Sequence, residues 1–73
     1  MWEVVGFRQR VKQDKVYYDI FLQRECKNGQ GLEVKAGNYA GSQVNYTPRI
    51  GDRVVLEMGN YQGRDFIKDI EVM

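Results

Sequence analysis

The sequence predicts an all-β domain, a small five-stranded antiparallel barrel spanning residues 1–73. Three observations lead there. Short runs rich in β-branched and aromatic residues recur at spacings of roughly eight to twelve residues. Turns carrying glycine or asparagine separate them, and no stretch shows the apolar period of a helix. A closed sheet also removes the open edges on which small β-proteins aggregate. At 73 residues the core is thin, because a chain of this size buries only roughly 60% of its extended surface.

Residues 2–11, WEVVGFRQRV, form the first strand. Val5, Phe7 and Val11 are expected on the core side, opposite Arg8 and Arg10. Strict alternation places Trp2 with the arginines, whereas its position near the terminus points to partial core burial. Lys12 to Lys15 make a polar turn. Residues 16–25 form the second strand, with Val16, Tyr18, Ile20 and Leu22 as its core stripe and Tyr17, Asp19, Phe21 and Gln23 outside. KNGQG, residues 27–31, predicts a hairpin turn at Asn28-Gly29, two positions that tolerate positive φ. In LEVKA, residues 32–36, Leu32, Val34 and Ala36 are expected inward and Glu33 and Lys35 outward.

Residues 37–52 interrupt the rhythm with Gly, Asn, Ser and Pro and no helical period. Residues 53–58, RVVLEM, form the fourth strand, and GNYQG, residues 59–63, a glycine-flanked tip. The fifth strand, RDFIKDIEV over 64–72, alternates imperfectly, which predicts a bulge or a strand covered on both sides. Two five-stranded barrels fit this order, the oligonucleotide-binding (OB) barrel and the SH3-like barrel. The long first pair and the wide gap before the fourth strand favour the OB form, with the helix of that gap missing or reduced to one turn.

Composition excludes several chemistries. Cys26 is the only cysteine and there is no histidine, so no disulfide and no zinc site is expected. Cys26 has no histidine to activate it and is expected to be structural or incidental rather than reactive. The commonest general base is absent, Ser42 has no base partner, and no phosphate loop or dinucleotide fingerprint occurs. Asp65 and Asp69 sit in a charge-alternating strand, where solvated carboxylates are the ordinary outcome. The expectation is no enzyme and no cofactor. A lone thiol and the lack of a long apolar run fit a cytoplasmic setting without membrane contact. With disulfides and metals excluded, self-association is the remaining stabiliser for so small a domain, so a homodimer or higher homo-oligomer is expected.

The net charge is +1, from 11 Lys and Arg against 10 Asp and Glu. No overall basic field follows. The cations do gather near the start, where Arg8, Arg10, Lys12 and Lys15 face Glu3 and Asp14. If the first two strands pair, Arg8, Arg10, Tyr17 and Phe21 share one outer surface. Rings beside guanidiniums can stack bases and track phosphates of a single strand of nucleic acid. Tyr61, between Gly59-Asn60 and Gln62-Gly63, has little of its own hairpin to pack against. Tyr39 and Tyr46 are expected instead to pin the long connection to the barrel.

VVGFR (4–8) and YTPRIGDRVVLEMGNYQG (46–63) carry a resemblance. The Tyr-Thr-Pro-x-x-Gly-Asp-x-Val phrase followed by a glycine hairpin is similar to the fourth-strand region of small OB-barrel proteins. The whole chain resembles compact single-stranded DNA-binding proteins of phages and mobile genetic elements. That resemblance implies an OB-like barrel, often dimeric, coating single strands, although its members tend to be more basic than this chain. The expected function is single-stranded nucleic-acid binding, DNA ahead of RNA. Tyr17, Phe21 and Tyr61 would stack bases, and Arg8, Arg10, Lys12, Lys15 and Lys35 would hold phosphates. The alternative is a protein-interaction module of SH3-like type, or an oligomerisation subunit, gripping its partner with the same exposed aromatics.

Overall fold

A computed structural model describes all residues, 1–73. Five antiparallel strands form one sheet: β1 (Trp2–Lys12), β2 (Lys15–Glu25), β3 (Leu32–Ala40), β4 (Arg53–Tyr61) and β5 (Arg64–Val72). Their order across the sheet is β3-β2-β1-β4-β5. β3 and β5, the two ends of that order, come together at Gly37, where an added Cβ would lie 2.5 Å from Ile67 Cδ1. No backbone ladder joins them, so the sheet curls without closing. No helix is long and apolar enough to cross a membrane.

Three hairpins set the register. β1 and β2 are joined by Gln13 and Asp14, both with positive φ (52° and 63°), between the facing residues Lys12 and Lys15. β4 and β5 turn through Gln62 (φ 52°) and Gly63 (φ 79°) between Tyr61 and Arg64. Two consecutive left-handed residues match the right-handed twist of the strands they join. The β2–β3 connection differs from expectation. It spans residues 26–31, and its left-handed residue is Gly31 (φ 90°) rather than Asn28 or Gly29.

Two bulges break strict alternation. Val4 faces Leu22 and Gly6 faces Phe21, which leaves Val5 as an extra residue in β1. In β5, Asp69 faces Glu57 and Ile67 faces Met58, so Lys68 is the extra residue behind that strand's imperfect pattern. The β1 bulge overturns two expectations. Trp2 turns to the core side with Val4, away from Arg8 and Arg10, and Val5 is exposed. Phe7 and Val11 do follow the Ile20 side but are exposed, because β4 pairs with β1 only at Trp2 and Glu3 and leaves the far half uncovered.

β3 inverts the expected faces. It runs on to Ala40, and its register with β2 sets Lys35 opposite Leu22, Gly37 opposite Ile20 and Tyr39 opposite Tyr18. Odd-numbered residues therefore point inward. Val34 is 80% exposed and Leu32 57%, while Glu33 and Lys35 are half-buried near Trp2. The buried cluster is Val4, Ile20, Leu22, Tyr39, Val44, Val54, Ile67 and Ile70, with Trp2, Tyr18, Tyr46 and Leu56 packed against it. No helix fills the 41–52 connection; Val44 and Pro48 are buried there, and Val44 joins the core cluster.

The tyrosines fasten this connection as expected, although Tyr39 does so from the end of β3. Tyr39 donates to the Tyr46 carbonyl at 3.0 Å, and the Tyr46 hydroxyl donates to Asp52 at 2.8 Å. Burial raises the Tyr39 phenol well above its ordinary range. Burial, then the bond to Asp52, push Tyr46 up to about 12. Tyr18, Tyr39 and Tyr46 pack in series as tilted ring pairs, with centroids 5.5 and 6.4 Å apart.

Candidate functional site

The pairing of β1 with β2 sets Arg8 opposite Asp19 and Arg10 opposite Tyr17, all on the sheet's outer face. Asp19 is the hinge of this surface. Its Oδ2 accepts from Arg8 Nε at 2.7 Å and from Arg10 Nε at 2.8 Å, and its Oδ1 accepts from Arg10 Nη2 at 3.0 Å. Partial burial of the carboxyl works to raise its pKa. The hydrogen bonds and charges of Arg8 and Arg10 outweigh that and hold it below the usual range. One carboxylate thus orients two guanidiniums and neutralises only one. Arg10 also lies 5.9 Å from the centre of the Tyr17 ring, within cation–π reach.

Phe21 sits on the same face, two residues from Asp19, and rests on Gly6. A Cβ there would be 3.4 Å from Phe21 Cδ2. Glycine thus lets the ring lie across β1 while it stays 39% exposed. Lys12 and Lys15 flank the hairpin turn, and neither joins an ion pair. Tyr61 stands at the β4–β5 tip, 68% exposed.

Beyond Tyr17 the surface dips into a groove of ≈ 370 Å³ lined by Arg10, Lys12, Tyr17, Asn38, Gln43 and Phe66, among others. Asn38 faces Asp19 and Ala40 faces Tyr17 across the β2–β3 ladder, so β3 extends the outer face towards β5. Phe66 closes the far side. It lies over Gly59, where a Cβ would be 2.6 Å from its ring.

The structure therefore brings together Arg8, Arg10, Lys12, Tyr17 and Phe21, with Lys15 at the adjoining turn. Lys35 is not among them. It points to the other face, its Nζ 5.9 Å from the Trp2 ring centre. Trp2 borders a larger groove, of ≈ 890 Å³, with Arg24, Lys27, Arg53, Glu3 and Glu25. Its ring face there is already taken by the Arg24 guanidinium at 4.0 Å, and Arg24 is bound in turn to Glu33. That groove mixes charges and offers no free ring.

Sequence reasoning missed Phe66 and Asn38. Phe66 had a usable signal: a glycine in a strand, paired with an aromatic across the ladder, is a recurrent sheet device that leaves the ring on the surface. Asn38 had none, because its face depends on the register of β3. No family model, curated protein or solved structure matches this chain.

Proposed function

We propose that this chain is a partly open, OB-like barrel that binds single-stranded nucleic acid without catalysing a reaction, with DNA as its main partner. The observation that carries the proposal is the exposed Tyr17–Arg10–Asp19–Arg8 array continuing into a groove ended by Phe66. OB barrels bind oligonucleotides across the face of strands 2 and 3 and with the loops between strands 1–2 and 4–5. Tyr17 and Phe21 lie on β2, Asn38 and Ala40 on β3, Lys12 and Lys15 beside the β1–β2 turn, and Tyr61 at the β4–β5 turn. The strand order, with β3 brought against β5, supports the same barrel.

In this proposal Tyr17 and Phe21 stack bases, and Tyr61 holds the strand as it leaves the face. Arg8 and Arg10 keep nitrogens free of Asp19 for phosphate, and Lys12 and Lys15 supply unpaired charge. Lys35 stands outside the binding face. Because Asp14 and Asp19 temper the cations, log Kd changes with log salt less steeply than for a strongly basic binder. The test is a fluorescence titration with oligo-dT. Each base stack contributes roughly 1–3 kcal/mol, so Tyr17→Ala and Phe21→Ala should each weaken binding about 5- to 140-fold while the circular dichroism stays that of the parent. Folded variants that bind as tightly as the parent would refute the stacking face.

A further inference from the structure

We propose that the open edge of β3 pairs with the same edge of a second copy, antiparallel about a two-fold axis at Val34. Three features of the chain lead to it.

The first is which backbone groups are free. Cys26 N–H donates to the Gly31 carbonyl at 3.0 Å, one step beyond the facing residues Glu25 and Leu32. Bonded and non-bonded pairs alternate along an antiparallel ladder. Leu32, Val34 and Ala36 are therefore the non-bonded partners of Glu25, Gln23 and Phe21, and their N–H and C=O groups point away from β2. β5 approaches β3 at Gly37 and beyond, while Leu32 and Val34 are 57% and 80% exposed. Edges of this kind are templates for another strand.

The second is charge complementarity. About a two-fold at Val34, Glu33 stands opposite the partner's Lys35 and Lys35 opposite the partner's Glu33. Val34 meets the partner's Val34, and Leu32 meets the partner's Ala36. Opposite charges facing one another across a ladder stabilise it and like charges oppose it. Arg24 engages only Oε2 of Glu33, which leaves Oε1 for the partner. Moving the axis to Glu33 or Lys35 would set that charge against its own copy.

The third is the contrast with β5, the other open edge. An axis at Ile67 sets Asp65 against the partner's Asp69, one at Ile70 sets Asp69 against the partner's Glu71, and one at Lys68 opposes two lysines. The bulge at Lys68 interrupts that edge as well. β5 is built against self-pairing and β3 is built for it. The pairing joins the sheets of two copies and leaves Arg8, Arg10 and Tyr17 free.

Two measurements test this on the intact chain. Sedimentation velocity over a concentration series should show a monomer–dimer equilibrium. Lys35→Glu, which sets a carboxylate opposite the partner's Glu33, should raise the dissociation constant on the order of tenfold or more. Val34→Pro, which removes an N–H facing away from β2, should do the same. In a Cys26→Ser background, Val34→Cys should form an interchain disulfide under mild oxidation, because Cα atoms of such a pair lie about 5.5 Å apart. Val55→Cys, on the exposed side of β4, should not. A protein that stays monomeric at millimolar concentration overturns the proposal. So does a dimer indifferent to Lys35→Glu whose Val34→Cys variant does not cross-link. If Val34→Pro fails to fold, the charge reversal and the cross-link decide alone.

Discussion

Gly37→Ala is the sharpest perturbation of the fold that supports the proposed binding face. Gly37 lies in β3 with ordinary extended φ, so alanine is not strained by its backbone. In open space, Gly→Ala in a strand would stabilise the protein by roughly 0.5–1 kcal/mol. Here the new Cβ would fall 2.5 Å from Cδ1 and 2.9 Å from Cγ1 of Ile67. Ile67 is 2% exposed and cannot swing into solvent. Overpacking of this kind costs roughly 1–3 kcal/mol, and two atoms closer than 3.0 Å put the cost in the upper half of that range, so after the gain is subtracted a net loss of about 1–2 kcal/mol is expected. At a shift of roughly 4–8 °C per kcal/mol for a domain of this size, that lowers Tm by about 4–16 °C.

Urea unfolding followed by tryptophan fluorescence measures it directly. Ile67→Val removes the Cδ1 methyl and alone costs about 0.5–1.5 kcal/mol. Combined with Gly37→Ala it should cost less than the sum of the two, because it relieves the clash. A Gly37→Ala variant more stable than the parent, or strict additivity in the double variant, would show that β3 and β5 do not meet at this point.

Three other outcomes follow from the same geometry. Asp19 is held below its ordinary pKa, so its stabilising pairing with Arg8 and Arg10 is complete above the unfolded value of about 3.8 and is lost as pH falls through the folded value; carboxyl-carbon NMR should place the Asp19 midpoint below 3.8, and a midpoint at or above that value would contradict the pairing. The Tyr39 and Tyr46 phenols are both raised, so their contribution is complete below about pH 10 and is lost as pH rises through about 12 for Tyr46. Phenolate absorbance should then show Tyr39 and Tyr46 ionising only well above pH 10, whereas ionisation of either at about pH 10 would contradict their burial. Gly59→Ala should displace the Phe66 ring and weaken oligonucleotide binding several-fold with β4 and β5 still paired by amide exchange; unchanged affinity would remove Phe66 from the groove.

Much of the fold can be read in the chain because period-two patterning survives in β2, where Val16, Tyr18, Ile20 and Leu22 all turn inward and Tyr17, Asp19 and Phe21 turn out. The strands were all legible, with boundaries short by a few residues in β3 and β4. Faces failed where register, rather than pattern, decides them. One extra residue at Val5 reverses every assignment on one side of it, and the VVGF sequence does not say which valine is extra. In β3 the alternation of LEVKA is real, but its apolar side faces solvent because Gly37 and Tyr39 take the inward positions. A glycine packed under Ile67 leaves no hydrophobic signature in a sequence. The same blindness explains Lys35, whose expected partners lie on the opposite face, and Phe66, whose place in the groove depends on a glycine across the ladder.

The most direct measurement is amide chemical-shift mapping of the protein titrated with oligo-dT. The proposed function requires the largest changes at Arg10, Tyr17, Phe21, Asn38 and Phe66, with Trp2, Arg24 and Arg53 unmoved. Changes centred on the Trp2 groove, or none at saturating oligonucleotide, would contradict it.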